Sequence, residues 1–387
     1  MTAGASGMIR SSVTTIAICA AFAASCGGGG GNGGRAATTV RPGESIQAAV
    51  DAASPGDTIE VLPGDYVEPG TNEAAVRITK SLKLVAKSGP GTGVVRILPG
   101  TGQRDGILVE PANAGDPDVQ GVEIRGFRIE GFPMNGIRLR HVNDFTIEEN
   151  EAANNLHTGI WPTLSANGLV RRNVAYGALD AALWVEAAEN VRVIGNEVHS
   201  SPSGIEVSVS KDVLVQGNDA HDNSVGIHLN HPTTAGLPES DWPPQPFGPI
   251  VIADNDVTEN NFPNPVTGGF VGALPSGGGI LILGVDDAEL RGNRMEDNDF
   301  FGIAIVDYCT VVADTPFNCD AVPPIGGDSK PDRIRVVNNG AIGNGLEPPS
   351  GPFGPLAADL IALGAADSCA SNNAVQKTVE VPELPPC

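Results

Sequence analysis

Short stretches of alternating apolar and polar residues recur along the chain with a fixed period. Seven asparagines share one local pattern, with an aliphatic residue three positions before each and a small or apolar residue two positions after it. They are Asn150, Asn173, Asn196, Asn218, Asn255, Asn293 and Asn339. The first steps are 23, 23 and 22 residues, and the later steps of 37, 38 and 46 residues indicate insertions. Self-similarity of this kind predicts a repeat fold.

A second series of Gly-Ile or Ala-Leu pairs runs in phase with the asparagines. Its members start at Gly106, Gly136, Gly159, Ala182, Gly204, Gly226, Gly279 and Gly302. No segment within one period is long enough for a helix, and short alternating segments predict strands. One coil of strands cannot bury its apolar side chains alone, but stacked coils about 4.8 Å apart can.

We therefore predict an all-β fold, a single-domain right-handed parallel β-helix with a period of about 22–23 residues. A left-handed β-helix would need a hexapeptide period, which is absent. The recurring asparagines can donate to one coil and accept from the next as a ladder. The recurring glycines permit a bend that a Cβ atom would obstruct.

The residues before the repeats predict a short capping helix. Ser45 is a favourable N-cap, and the segment Ser54-Pro55-Gly56 ends the helix. The apolar face of this helix would consist of Ile46, Ala49, Val50 and Ala53. An open solenoid end needs such a cover.

The segment from Ser45 to Tyr66, SIQAAVDAASPGDTIEVLPGDY, resembles the first segment of pectin-lyase-like right-handed β-helix proteins. The resemblance covers about residues 38–345 and implies the fold. That superfamily includes polysaccharide lyases, glycoside hydrolases, uronan epimerases, phage tailspikes and proteins without known catalysis. The catalytic signatures of its hydrolases, pectate lyases and alginate epimerases are missing here, so the fold does not imply an activity.

The start of the chain predicts an exported lipoprotein. Residues 1–26 contain an apolar run from Val13 to Ala24 that is too short for a permanent membrane span. The run ends in Ala-Ala-Ser-Cys, which is similar to a lipobox and predicts lipidation of Cys26. Cleavage for secretion without a lipid is the alternative. We expect a protein anchored to the bacterial cell envelope, on its periplasmic face or cell surface.

Residues 27–37 predict a Gly-rich flexible tether, and residues 38–387 predict the β-helix. Long Pro/Gly-rich insertions are expected at residues 231–249, 261–278, 307–331 and 344–357. Functional variation concentrates in such loops on a rigid solenoid.

Composition and net charge restrict the classes of molecule that the protein could bind. The 387 residues include 50 Gly and 31 Pro, and 41% are hydrophobic, which favours a turn-rich fold over disorder. A formal net charge of −23 disfavours nucleic acid and weighs against a strongly anionic polysaccharide unless a cation bridges the two. We expect a monomer that meets a membrane only through its lipid.

Four cysteines of the mature chain, Cys309, Cys319, Cys369 and Cys387, predict disulfides in an oxidising compartment. Four cysteines allow three pairings, and the sequence-local pairs are Cys309 with Cys319 and Cys369 with Cys387. A metal site is the alternative, but no CxxC pair or nearby histidine supports it.

Stacking the coils aligns the outward residues that follow each Ile or Leu of the second series. One outward row is Arg138, Trp161, Trp184, Glu206 and His228. The next outward row is Arg140, Thr163, Glu186, Ser208 and Asn230. Two tryptophans on adjacent coils of an exposed face are costly unless something covers them.

Three interpretations of this face remain open. Loop 231–249 could cover the two tryptophans, the face could be a saccharide groove, or it could bind a protein. In a groove, the indoles would stack on sugar rings, Asn230 would hold hydroxyls and Arg138 would neutralise a uronate carboxylate. Glu206 and His228, with Glu186 on the preceding coil, would then be the acid/base pair. An enzyme should expose these three residues in one groove, whereas a scaffold should show the face covered by loops or flat.

Metal binding has weak support. His199 and His221 are one coil apart, but no third ligand shares their phase, because Tyr176 occupies the corresponding position of the coil before. Acidic turn residues such as Asp254 and Asp297 are better explained as solvated than as Ca²⁺ ligands. We expect no cofactor.

The functional prediction is an exported β-helix protein that binds a carbohydrate polymer on an exposed strand face. If it is an enzyme, we expect a polysaccharide lyase, glycoside hydrolase or epimerase. The alternative is a non-catalytic cell-envelope scaffold that binds a partner protein.

Overall fold

A computed structural model describes residues 37–69, 73–89, 91, 93–231, 242–243, 245–312, 319, 328–351 and 353–387. The predicted targeting segment, Cys26 and nearly all of the predicted tether lie outside these residues. In the described part of the chain, no helix is both long and apolar enough to cross a bilayer.

Three parallel sheets run side by side along the chain, and each full coil contributes one strand to each sheet. The strands of sheet 1 are Thr38–Val40, Asp57–Val61, Leu82–Ala86, Val119–Arg125, Val142–Glu148, Ala166–Arg171, Glu189–Ile194, Lys211–Gln216, Ile250–Ala253, Ala288–Arg291, Arg335–Val337 and Cys369–Ser371.

Sheet 2 consists of Ala74–Ile78, Asp105–Val109, Ile137–Arg140, Ile160–Thr163, Ala181–Glu186, Ser203–Ser208, Val225–Asn230, Gly278–Leu283, Phe301–Val306, Ala358–Leu363 and Thr378–Val381. Sheet 3 consists of Gly64–Val67, Val95–Leu98, Phe127–Glu130, Glu151–Ala153, Val174–Tyr176, Glu197–His199, Asp219–His221, Asp256–Thr258, Arg294–Glu296, Gly340–Ile342 and Ala374–Val375. Neighbouring strands of one sheet belong to successive coils, which is the arrangement of a parallel β-helix.

Helices are few in the described residues. The α-helices are Ile46–Ala52 and Tyr308–Val312, and 3-10 helices span Val271–Ala273 and Gly354–Leu356. The first is the predicted capping helix: the Ser45 side chain accepts a hydrogen bond from the amide of Ala48, and Ile46 and Val50 are buried in the core.

One continuous hydrophobic core fills the space between the three sheets. The aliphatic residues of the Gly-Ile series point into it; Ile137, Ile160, Leu183, Ile205 and Ile227 are all fully buried. Because the side chains of a strand alternate between its two faces, the residue after each of these points outward.

The predicted asparagine ladder forms at a turn between sheets 1 and 3. The side-chain amide of Asn196 donates to the carbonyl of Val170 and to Oδ1 of Asn218, both at 3.0 Å. Oδ1 of Asn196 in turn accepts from the backbone N–H and the amide of Asn173, at 3.0 and 2.9 Å. The ladder therefore joins each coil to the next and satisfies buried polar groups that water cannot reach.

The recurring glycines are required by close approach between coils. A Cβ atom on Gly204 would lie 2.4 Å from the carbonyl oxygen of Gly226 on the next coil, and one on Gly159 would lie 2.4 Å from that of Ala182. The obstruction predicted from the sequence is therefore a clash with the neighbouring coil.

Both sequence-local disulfides are present. Cys309 is joined to Cys319, and Cys369 is joined to Cys387. The second bond holds the C-terminal tail against the last coil, where Leu384 packs into the core. These four thiols are therefore not metal ligands.

Candidate functional site

The outward face of sheet 2 carries two rows of side chains along the coils. The first outer row consists of Arg77, Leu108, Arg138, Trp161, Trp184, Glu206, His228, Leu281, Ala304, Ile361 and Val379. The second outer row consists of Arg140, Thr163, Glu186, Ser208, Asn230, Leu283, Val306, Leu363 and Val381. Strand register thus brings together the residues that the sequence placed on this face.

Arg138, Trp161 and Trp184 stack on one another along the first outer row. The two indoles lie parallel, with ring centroids 4.9 Å apart and an interplanar angle of 2°. The Arg138 guanidinium carbon lies 4.4 Å from the Trp161 ring centroid. Because these two neighbours come from the coils before and after Trp161, they cover both of its faces. Both faces of Trp161 are thus occupied by neighbouring side chains, and Trp184, which is partly exposed, is the more accessible indole.

His157 and Asp180 form a polar pair beside the stacked indoles, which the sequence analysis did not identify. His157 Nε2 lies 3.4 Å from Asp180 Oδ2, and its ring centroid lies 5.5 Å from that of Trp161. The His157 side chain is about a third exposed. Burial lowers the pKa of His157 and raises that of Asp180, while their mutual attraction opposes both shifts. His157 and Asp180 occupy equivalent positions of successive coils, each three residues before a core aliphatic residue. This shared position is the sequence signal from which their contact could have been predicted.

Glu206, His228 and Asn230 meet in a buried polar cluster. The Asn230 amide donates to Glu206 Oε1 at 2.7 Å and lies 3.1 Å from His228 Nε2. His228 Nδ1 lies 3.8 Å from Glu206 Oε2. All three side chains are buried. Burial raises the pKa of Glu206 well above its usual value and lowers that of His228 to about 3, so His228 is neutral at neutral pH.

Glu186 is a second buried carboxyl group on this face. The Thr163 hydroxyl donates to Glu186 Oε2 at 3.2 Å. Burial raises the pKa of Glu186 to about 8, although the Thr163 hydrogen bond and the nearby indole N–H of Trp161 act in the opposite direction. Asp180 and Glu186, when ionised, raise the pKa of Glu206 further, so these three acids lie close enough to influence one another.

Buried polar atoms without hydrogen-bond partners are concentrated on this face. Seven such atoms among the described residues belong to it: Arg138 Nε, Arg140 Nε, Trp161 Nε1, Glu186 Oε1, Ser203 Oγ, His228 Nδ1 and Asn230 Oδ1. A buried polar group without a partner costs about 1–3 kcal/mol, and native proteins keep few of them. Such a concentration marks a candidate ligand site.

Beyond His228, the outward face of sheet 2 becomes apolar and is covered by loops. A second hydrophobic cluster contains Leu281, Leu283, Phe301 and Ile361 of the sheet, together with Leu274 and other loop residues. Phe270, from the insertion at 261–278, stacks on His228 with ring centroids 5.7 Å apart. It also stacks on Tyr308, from the insertion at 307–331, at 6.1 Å. The later coils are therefore closed by the protein's own loops.

The opposite end of the face carries two adjoining hollows. One of about 590 Å³ is lined by Gln47 of the capping helix and by Arg77, Leu108 and Glu110. The other, of about 290 Å³, shares Arg77 and Glu110 and also includes Arg140. The first outer row thus begins beside open polar hollows and ends under an apolar cover.

The sequence therefore predicted the neighbours on this face but not their exposure. The open groove expected over Glu206, His228 and Glu186 is absent, because all three are buried on the outward side of their strands. Asn230 is buried with them. The described part of the insertion at 231–249 packs Trp242 and Phe247 on Val209.

The other histidines form a separate ladder on sheet 3. Tyr176, His199 and His221 stack with centroid distances of 4.6 and 5.2 Å. Parallel rings on successive coils do not converge on one ion. Among the described residues, no group of three or more His, Cys, Asp or Glu side chains could hold a metal ion.

Comparisons with known proteins agree with this architecture. The family model "Right handed beta helix region" matches residues 102–236. The human SHC SH2 domain-binding protein 1 is 28% identical over 163 residues, which are 41% of this chain and only 21% of that protein. The chain therefore spans about a fifth of the length of that curated relative.

Solved structures are similar over most of the chain. The A-module of the Azotobacter vinelandii mannuronan C-5 epimerase AlgE4 is 14% identical, with a TM-score of 0.55, and the match covers 86% of this chain and 88% of that one. The catalytic domain of a GH87 α-1,3-glucanase is also 14% identical, with a TM-score of 0.46 and coverage of 90% and 66%. With its three parallel sheets and its match to the family model, the chain is a right-handed parallel β-helix protein, as its sequence predicts.

Proposed function

We propose that this β-helix protein binds a carbohydrate polymer on the outward face of sheet 2, in the stretch from Arg77 to Trp184. The observation that carries the proposal is the partly exposed indole of Trp184 at the end of the stack with Arg138 and Trp161, next to which polar atoms are buried without partners. Sugar hydroxyls both donate and accept hydrogen bonds and would satisfy such atoms, while the indole contacts the apolar surface of a sugar ring.

Two further observations support this proposal. The fold is similar to that of the A-module of a mannuronan C-5 epimerase, a protein whose name identifies a polysaccharide substrate. Arg138, His157 and Asp180 surround the indoles with side chains that can bind hydroxyl groups from the solvent side. The net charge of −23 favours a neutral polymer, or an acidic one bridged by a cation.

We also propose that Glu206, His228 and Glu186 act as the catalytic acid and base on the bound polymer. Their raised carboxyl pKa values keep protons available at neutral pH, which is the property that a general acid needs. Their burial separates them from solvent, so reaching them requires movement of the covering loops.

Export and lipid attachment at Cys26 also remain proposals. The two disulfides support an oxidising compartment. Palmitate labelling of cells that express the wild-type protein or Cys26→Ser tests the attachment, and equal labelling of both would contradict it.

The binding proposal is tested on an array of mannuronan, α-1,3-glucan, xylan and dextran, with binding and product formation both measured. We expect the wild-type protein to bind at least one polymer and Trp184→Ala to weaken that binding by at least tenfold, since an aromatic contact of this kind contributes about 1.4 kcal/mol or more. Tyr176→Ala, which removes a stacked aromatic side chain from sheet 3, is the matched control and should bind as the wild type does.

The outcomes also separate the alternatives. If turnover accompanies binding and disappears in Glu206→Gln while binding persists, the catalytic assignment holds. If no polymer binds, or if Trp184→Ala and Tyr176→Ala lose affinity equally, the carbohydrate proposal fails, and a protein partner becomes the better hypothesis.

A further inference from the structure

One end of the first outer row is open to solvent and the other is covered by loops, and this difference limits how a polymer could bind. From Arg77 to Trp184 the row crosses five coils, a length of about 19 Å at about 4.8 Å per coil. Its first part borders the hollows of about 590 and 290 Å³. The row therefore starts beside open hollows and runs to the partly exposed indole of Trp184, while Leu108 and Trp161 between them are buried.

The other end of the row is closed. The strands Ser203–Ser208 and Val225–Asn230 are buried on both faces. Phe270 lies against His228, and Tyr308 lies against Phe270. Behind them the row continues as Leu281, which is buried in the second hydrophobic cluster.

This closure consists of packed apolar side chains and a covalent bond. The insertions that carry Phe270 and Tyr308 both contribute to the second hydrophobic cluster, and the Cys309–Cys319 disulfide packs on the same cluster. Apolar packing of this kind offers no hydrogen bonds to a passing sugar chain, and displacing it would expose buried hydrocarbon surface to water.

We infer that the site binds the end of a carbohydrate chain and does not bind along its middle. A chain that enters from Arg77 and lies along the row meets the loop cover after Trp184, so one terminal residue lies beside the Glu186 and Glu206 carboxyl groups. This inference rests on the proposed function and adds the class of ligand, a chain terminus.

The unpartnered polar atoms agree with terminal recognition. Three of the seven, those of Ser203, His228 and Asn230, lie at the closed end of the row, so a terminal residue would reach them only after the covering loops move. A terminal sugar presents one more hydroxyl group than an internal one and can satisfy more of these atoms.

The test compares size fractions of each array polymer, from mannuronan, α-1,3-glucan, xylan and dextran, at equal mass and with the full-length protein. If chain ends are bound, halving the average chain length doubles the amount of protein bound per unit mass, because it doubles the number of ends. Trp184→Ala should abolish retention on every fraction, which ties the signal to this face.

Two outcomes would overturn the inference, and only the second would also overturn the proposed function. Retention that depends on total mass and not on chain length would show mid-chain binding, with the carbohydrate function intact. Retention on no fraction of any polymer would remove both the inference and the proposed function on which it rests.

Discussion

At the residue scale, the chain places ionisable groups where water is absent and keeps them neutral. Burial penalises the charged forms, so it raises the pKa values of Glu186 and Glu206 and keeps His228 unprotonated at neutral pH. Such groups make folding stability depend on pH, since the unfolded chain titrates at ordinary values.

The Glu186 carboxyl group should weaken the fold as pH rises. Its pKa is about 8 in the folded protein and 4.5 in the free side chain. Below pH 4.5 the group is protonated in both states and its stabilising contribution is complete. Between pH 4.5 and 8 the unfolded state loses the proton first, so the free energy of unfolding falls by up to about 1.4 kcal/mol per pH unit.

Glu186→Gln should remove this part of the pH dependence. We expect its urea midpoint to fall less than that of the wild type between pH 4.5 and 8, because glutamine does not titrate. Glu189→Gln, at a half-buried position of the adjoining strand, controls for the loss of a carboxylate. Equal slopes for Glu186→Gln and the wild type would contradict the assigned protonation.

The sequence period predicts which residues are neighbours in this site, but it does not predict what covers them. A period of 22–23 residues fixes which residues stack, so Arg138, Trp161 and Trp184 could be placed in one row. Their exposure depends on the path of inserted loops, which carry no period. The stacking of Phe270 on His228 therefore had no signal in the sequence.

At the element scale, the spacing between coils determines which residues the turns accept. The Asn196 ladder was predictable because its pattern repeats with the strands. A second ladder was missed: it contains Asn223, Asn260, Asn298 and Asn344 and ends at Asp359. Its signal is an asparagine five residues after each of Asn218, Asn255, Asn293 and Asn339.

Gly204→Ala should destabilise the fold by about 1–3 kcal/mol, as overpacking of a tight interior typically does. The added methyl group would lie 2.4 Å from a backbone carbonyl oxygen of the next coil, which cannot move independently of its strand.

Gly340→Ala is the matched control on sheet 3, since a Cβ atom there meets nothing within 4 Å. Thermal unfolding should show a lowered midpoint for Gly204→Ala and an unchanged or slightly raised one for Gly340→Ala. A pair of equal midpoints would refute the account of coil spacing.

At the scale of the whole molecule, the β-helix is a rigid support whose two ends are covered by different elements. The capping helix Ile46–Ala52 covers the first coil, and the tail held by Cys387 covers the last one. Between these ends, the outward face of sheet 2 changes along the solenoid. Over the early coils it is polar and partly open, whereas over the later coils it is apolar and covered by loops. The fold was predictable from the repeat, whereas this asymmetry arises from insertions that the repeat does not constrain.

The most direct test of the central claim is a crystal structure of the protein with a bound oligosaccharide of whichever array polymer it retains. We predict sugar density along the first outer row, in contact with Arg138 and Trp184, with one terminal residue nearest Glu186 and Glu206. Density on sheet 1 or sheet 3, or on sheet 2 beyond Phe270, would contradict the assignment of this face as the carbohydrate site.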